Sequence, residues 1–393
     1  MRVLTIIDAF RLGGAETLVA QLGRVAARVG LELDVLSLHG PSPELSRLEP
    51  LLVEAGIEPH YLGVRRTLDP VGFARLVRYI RRTRPDVVHA HLEMSMTMAL
   101  PAAALTGTPA VGTFHQVYRP MTGRELARER LAVEVATRSQ ATVFVSHASL
   151  RSYAQHFRAG HPTPTTWRVV HNGVDLAHFA PARGGQVGQL PADLGPDGAP
   201  VVTLVAALRD FKGIVHALDA WPQVWARHPE ARLLIVGSGE EEDNLRGRAR
   251  ELGLGGSVLF AGMRSDVPAV MQGSDIVLLP SIHGENLPTV LMEAGACARP
   301  VVASDVGGIG DIVVDGETGL LTRPGDPDSI AGALLRLLDD EDLRSRLGQA
   351  ARVRMEERFD ARLWAENLRR LYVEVIAARR HARFGLGRRG STE

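Results

Sequence analysis

The strongest constraint on this chain is a pattern that runs twice. Short apolar stretches recur at VLTIID (3–8), LELDVLSL (31–38), DVVHAH (86–91), AVGTFHQ (110–116), ATVFVS (141–146) and WRVVHNG (167–173). Amphipathic segments separate them: one follows the GGAE turn from about 15 to 29, and another is PVGFARLVRYIRRTR (70–84). Strands alternating with helices predict a parallel sheet covered on both faces. The pattern stops at PARGGQVGQLPADLGPDGAP (181–200), whose glycines and prolines read as a linker. It restarts with VVTLVAAL (201–208), RLLIVGSG (232–239), SVLFAG (257–262), DIVLLPS (275–281), PVVASD (300–305) and GLLTR (319–323). A long helix is expected over 360–383. The fold expected is α/β, with two Rossmann-like doubly wound parallel-sheet domains at 1–180 and 201–360. Residues 361–393 are expected to hold that helix, followed by a basic tail. Ligands of such sheets bind beyond the carboxyl ends of the strands. Two facing sheets predict an interdomain cleft.

A chain of 393 residues is long enough for two such cores. The single cysteine, Cys297, cannot form an internal disulfide, which fits a reducing, cytoplasmic setting. MRVLTIIDAFRLGG does not read as a secretory signal, because its apolar run is short and Asp8 breaks it. The uncharged stretch Met94–Tyr118 contains Pro101 and Pro109 and reads as a buried helix and strand, not a membrane span. Net charge is zero but uneven. Residues 1–180 hold 20 arginines and 15 acids, and 181–360 hold 17 bases and 27 acids. No nucleic-acid partner is expected. Two arginine-rich segments, 73–84 and 378–389, could attract the chain to an anionic membrane surface; solvated helix faces and a disordered tail are the equal alternative.

Several constellations carry chemistry. Lys212 is the one lysine in a chain that otherwise writes every strong base as arginine. With Arg209 it lies in ALRDFKG (207–213), at a strand-to-helix turn where two cations could neutralise a diphosphate. Glu285 and Glu293 stand eight apart in SIHGENLPTVLMEAGACA. Glu285 is expected in the loop before a helix that opens at Pro288, and Glu293 about one and a half turns into it. The free amides of that helix start could hold an anion, and a flanking carboxylate could accept from the vicinal hydroxyls of a ribose. Solvated, non-functional carboxylates remain the alternative on spacing alone. Gly13 and Gly14, in RLGGAE, permit close backbone approach to a ligand but do not form GxGxxG. His115 closes the strand GTFHQ. His89 and His91 are read as pointing to opposite sides of their strand. Zinc is not expected, for lack of a further ligand cluster.

In this order and spacing, GGAE, DVVHAH, FH (114–115), VS (145–146), HNGVD (171–175), KG (212–213), GSGE (237–240), E-x7-E (285–293), PVVAS, GG and DGETGLL make a specific pattern over nearly the whole chain. It resembles the retaining GT-B-fold glycosyltransferases of family 4. The resemblance implies a nucleoside-diphosphate sugar lying mostly on the second domain, a C-terminal helix crossing back to the first domain, and no cofactor or metal. It implies that Arg209 and Lys212 contact the diphosphate, that Glu293 holds the ribose, and that Glu285 contacts the donor sugar. Amides around Asn286, Leu287 and Thr289 would line sugar and phosphate, and Gly262, Met263 and Arg264 would border the base. The backbone at Gly13 and Gly14 would close over the phosphates, and His115 would sit beside the transferring sugar. Three features depart from the common pattern: only Asp-Phe separates Arg209 from Lys212, Asn286 stands where glycine is common, and Pro288 supplies no N–H.

The function implied is transfer of a sugar, with retention, to an acceptor hydroxyl on a glycan or lipid-linked glycan, as in cell-surface polysaccharide or glycoconjugate synthesis. The setting implied is cytoplasmic, including the inner membrane face. Departure of the diphosphate builds negative charge, which two cations and a helix start could stabilise. A nucleotide-sugar epimerase of the same fold, or a non-catalytic donor-binding subunit, are the alternative readings.

Overall fold

The structure is a computed structural model that describes residues 1–11, 13–182 and 198–387, with side chains as far as Arg379. Most of the expected linker and the end of the basic tail lie outside the described residues.

The chain divides into two compact units, Met1–Asn172 with Ala361–Glu393, and Gly173–Asp360. The first holds a seven-stranded parallel sheet: β1 (Arg2–Ile7), β2 (Glu32–Ser37), β3 (Pro59–Tyr61), β4 (Val87–His91), β5 (Ala110–Phe114), β6 (Ala141–Phe144) and β7 (Trp167–Val169). Their spatial order is 3-2-1-4-5-6-7. The second holds a six-stranded parallel sheet: β8 (Val201–Val205), β9 (Arg232–Val236), β10 (Val258–Gly262), β11 (Ile276–Leu279), β12 (Val301–Ser304) and β13 (Gly319–Thr322), in the order 10-9-8-11-12-13. Each order reverses once, between β1 and β4 and between β8 and β11. Loops leaving the strand ends at such a reversal run apart and leave a crevice between them.

Every residue of β4, β5 and β6 is buried, as helices on both faces require. In the first unit the long final helix, Ala361–Gly387, covers one face. Trp364, Leu368, Leu371, Tyr372 and Val375 recur at three- and four-residue spacing and pack with Leu18, Leu22 and Val25 of the helix Gly14–Ala26. Each such large side chain contributes about 1.5–3 kcal/mol when fully buried. In the second unit Trp221, Leu218 and Val224 of the helix Ile214–Arg227 pack on β8, β9 and β11.

The stretch Met94–Tyr118 forms the rest of the helix Glu93–Thr106, then β5 and the loop beyond it. Among the described residues no helix is long and apolar enough to cross a membrane. Two differences from the sequence reading are local. β3 was not expected, because three residues beginning with proline carry no alternation, and it forms at the sheet edge where proline is tolerated. Residues 173–180, read as the end of the first domain, belong to the second unit. There the Val174 amide donates to the carbonyl of Phe359 at 2.7 Å, and the Phe179 carbonyl accepts from Arg352 at 3.2 Å.

Candidate active site

In the second unit, the polar groups gather where β8 and β11 end. β8 leads to Arg209 and a single 3-10 turn, Asp210–Lys212, closed by Gly213. Gly213 has φ +62°, and a Cβ there would lie 2.2 Å from the carbonyl oxygen of Pro280. Only glycine lets the two loops approach so closely. The amide of Ile282 donates to the carbonyl of Phe211 at 2.9 Å and ties them together. This places Lys212 Nζ 2.5 Å from Glu285 Oε1, both largely buried. Ser281 Oγ donates to the same oxygen at 2.6 Å. Among the described residues Glu285 Oε2 has no protein donor.

The Glu285 backbone is clamped from the far side. Gly307, at φ +58°, lies against it so closely that a Cβ would sit 1.8 Å from the Glu285 carbonyl oxygen. The amide of Gly308 donates to that oxygen at 3.2 Å. Asn286 and Leu287 are buried in the same loop. Pro288 is the N-cap and the helix is Thr289–Ala296, so the expectation of Pro288 as its first residue is corrected. Glu293 consequently stands little more than one turn in. It keeps some accessible surface, yet enough protein surrounds it that desolvation pushes its carboxyl up to about 7, against a lowering hydrogen bond from the Thr289 side chain. Arg209 is exposed, and no ion pair engages it among the described residues. Met263 is 70% exposed. Arg264 is held by Asp266, with Nε–Oδ1 at 2.8 Å and Nη2–Oδ2 at 2.5 Å.

In the first unit the corresponding reversal, between β1 and β4, holds Asp8, whose Oδ1 accepts from the amide and the hydroxyl of Ser95 at 2.7 and 2.6 Å, and histidines stand beside it in β4 and after β5. Gly13 is the extended N-cap of the helix Gly14–Ala26, and a Cβ on Gly14 would meet nothing within 4 Å. His115 follows β5, and its Nε2 lies 2.8 Å from His91 Nδ1. His89 bridges Thr113 Oγ1 at 2.6 Å and Tyr372 OH at 2.6 Å. The reading that His89 and His91 point to opposite sides is wrong. Residues two apart on a strand share a face, and the two rings lie 4.1 Å apart. Desolvation holds His89 down to about 3 and His115 to about 4, and keeps His91 well below the usual range. All three are neutral near pH 7. Beyond His115 the loop is pinned: Gln116 Nε2 donates to Tyr153 OH at 3.2 Å, and its carbonyl accepts from Ser149 Oγ at 2.6 Å.

A family model described as "Glycosyltransferase Family 4" matches residues 12–178, and one described as "Glycosyl transferases group 1" matches residues 189–354. The D-inositol 3-phosphate glycosyltransferase of Acidothermus cellulolyticus is 31% identical over 407 residues, spanning 94% of this chain and 87% of that protein. The phosphatidyl-myo-inositol mannosyltransferase of Mycolicibacterium smegmatis is 28% identical over 384 residues, spanning 93% and 91%. The chain belongs to glycosyltransferase family 4. Its fold is similar to that of Anabaena HepE, solved in complex with UDP, with a TM-score of 0.83 at 23% identity over 95% of this chain and 100% of that one. It is thus a retaining glycosyltransferase of the GT-B fold, moving a sugar from a nucleoside-diphosphate sugar to an acceptor hydroxyl.

Of the residues singled out in the sequence of this glycosyltransferase, the structure brings Lys212 and Glu285 into direct contact. Asn286, Leu287, Thr289 and Glu293 lie on the same loop and helix. Arg209 is near in sequence and unengaged, and the guanidinium of Arg264 is occupied by Asp266. Gly13, Gly14 and His115 belong to the first unit. Sequence reasoning missed Ser281, His91 and Tyr372 as partners of site residues. The two-residue spacing in HAH, one strand before FH, was a usable signal for His91. Nothing in the sequence pointed to Tyr372, 283 positions from the His89 it touches.

Proposed function

We propose that this glycosyltransferase grips the diphosphate of its donor with Arg209, Lys212 and the first amides of the helix Thr289–Ala296. Glu293 takes the ribose hydroxyls, and Glu285 the donor sugar. Amides around Asn286, Leu287 and Thr289 line sugar and phosphate, Met263 and Arg264 border the base, and Gly13, Gly14 and His115 meet phosphate and sugar. The observation that carries this reading is the 2.5 Å bond from Lys212 to Glu285 across the strand reversal of the second sheet. It fixes a cation and a carboxylate side by side where ligands of such sheets bind. Lys212 is then held in place before the substrate arrives, and little reorganisation is needed as charge builds on the departing diphosphate. Glu285 keeps one oxygen without a protein donor, suited to accepting from a sugar hydroxyl. No step in this scheme requires a metal. The leaving phosphate is placed to take the proton of the incoming acceptor on the same face, which gives retention.

The acceptor proposed is a glycan or lipid-linked glycan, in polysaccharide or glycoconjugate synthesis at the cytoplasmic face of a membrane. Supporting it, Arg65, Arg66, Arg75 and Arg78 are exposed in and before the helix Pro70–Thr83, beside exposed Leu68 (66%) and Val71 (59%). Cations around exposed apolar side chains suit an anionic lipid surface. The phosphatidyl-inositol acceptor named for the mycobacterial relative points the same way.

Thermal shift with UDP-, GDP- and ADP-sugars tests the donor reading, because a ligand that binds the native state raises its melting temperature. One nucleotide class is expected to stabilise the wild type strongly, with EDTA making no difference, and to stabilise Lys212→Ala far less. Equal stabilisation of the two proteins would remove Lys212 from the donor site. Product formed without acceptor would replace transfer by epimerisation.

A further inference from the structure

The histidine that ends β4 and the one that follows β5 form a hydrogen-bonded pair whose proton can be placed. β4 and β5 are paired in parallel, His89 facing Val111 and His91 facing Thr113 in the register. His91 and His115 extend from the same face at the carboxyl end, with His91 Nδ1 2.8 Å from His115 Nε2 and the rings stacked at 29°. Neither ring carries charge near neutral pH, because burial disfavours the imidazolium of both. One proton therefore lies between the two nitrogens.

Two arrangements satisfy that bond. If His115 Nε2–H donates, His91 accepts at Nδ1 and must carry its own proton on Nε2. That nitrogen is buried with no hydrogen-bond partner among the described residues. If instead His91 Nδ1–H donates, the buried Nε2 of His91 carries only a lone pair. A buried N–H without an acceptor is rarer than an under-used acceptor, so the second arrangement is favoured. His115 then accepts at Nε2 and carries its proton on Nδ1, for which no protein partner is present among the described residues.

We propose that His91 is a positioning residue that fixes His115 as the Nδ1–H tautomer, so that His115 meets the transferring sugar as a hydrogen-bond donor and not as a base. The functional half of this rests on the placement of His115 beside the donor sugar. A donor is what a retaining same-face transfer can use there, since the leaving phosphate takes the acceptor proton. A sugar hydroxyl oxygen is the class of group it would hold. His91→Phe keeps a ring but supplies no N–H, and His115 is then free to turn or change tautomer. His91→Asn places an amide N–H near the lost Nδ1.

Nitrogen-15 spectra of the histidine-labelled full chain test the tautomer directly, with His115 assigned by its loss in His115→Gln. The expected spectrum has a protonated Nδ1 and an unprotonated Nε2 for His115; the reverse pattern overturns the proposal. In turnover, His91→Phe is expected to lose about tenfold in kcat, the worth of roughly one hydrogen bond, with donor KM nearly unchanged. His91→Asn is expected to restore most of it. Equal losses in the two variants would mean that His91 serves packing alone. Should His91→Phe not fold, the wild-type spectrum and the Asn variant decide. Normal turnover in His115→Ala would overturn the site reading and the functional half with it, while the spectrum still reports the tautomer.

Discussion

The two sheets of this glycosyltransferase reverse their strand order in the same way and carry different polar groups at their strand ends. Where β8 and β11 end, a lysine and a glutamate meet at 2.5 Å in an ion pair. Beside the first sheet's reversal, in β4 and just after β5, His91 bonds to His115, and His89 to Thr113 and Tyr372, with no net charge. The two sets of strand ends thus suit two tasks. A charged pair held in place suits the leaving diphosphate, whose charge grows during the reaction. A neutral lining suits hydroxyl-bearing sugar and avoids burying ions that nothing compensates.

The largest expected break in this contrast is Lys212→Ala. Turnover should fall by about 10²–10³, the typical cost of removing one preorganised donor to a developing anion. Stability should fall as well: Glu285 would be left buried with Ser281 as its remaining side-chain donor among the described residues, and melting should show a loss of about 1–3 kcal/mol. Combining it with Glu285→Gln should recover much of that stability and none of the turnover. If the double variant is no more stable than the single one, the pair is not coupled as described.

Next in size is one substitution made at two places. Gly307→Ala requires a side chain at φ +58° and 1.8 Å from the Glu285 carbonyl oxygen, so the loop must move. It should destabilise by more than about 1 kcal/mol and weaken donor binding. Gly14→Ala meets nothing within 4 Å on a helix, and should stabilise by about 0.4–1 kcal/mol. If Gly14 lets backbone approach the donor phosphates, its donor KM should nevertheless rise. Differential scanning fluorimetry with donor titration separates the two. A stabilising Gly307→Ala would contradict the clamp on Glu285.

Most of the fold was readable because its signal is local. Apolar runs such as DVVHAH and VVTLVAAL mark strands buried on both faces, and the amphipathic helices between them force parallel order. β3 was not readable, since Pro59–Tyr61 is an edge strand whose pairing to β2 depends on the neighbouring strand and not on its own pattern. The charged site was partly readable: the lone lysine stood out, and Glu285 came with its loop. Their contact was not, because it depends on Gly213 letting Phe211 and Ile282 join two loops 71 positions apart. Family resemblance supplied roles for Glu293 and Gly14 that their spacing did not. On the neutral side, the error over His89 and His91 came from misapplying the strand period, and Tyr372 entered through a helix at the far end of the chain.

The smallest expected effect, and the one that addresses both units at once, is in the pH dependence of stability. Glu293 has its carboxyl pushed up to about 7 from 4.5, so the native state holds that proton more tightly than the unfolded chain. Its contribution is full below pH 4.5 and is lost as pH rises through 7. His115 is held down to about 4 from 6.5, so its contribution is present above 6.5 and is lost as pH falls through 4. Between pH 4.5 and 6.5 the two units therefore pull the melting temperature in opposite directions. Glu293→Gln should let stability rise more steeply with pH across that window, and His115→Gln should make it rise less. Bound donor sharpens the test, because ribose hydroxyls donating to Glu293, as proposed, would favour its ionised form. Donor affinity should then increase as pH passes through 7 in the wild type and stay level in Glu293→Gln. A Glu293→Gln profile parallel to the wild type, with and without donor, would place that carboxyl outside the site and leave the charged reversal to Lys212 and Glu285.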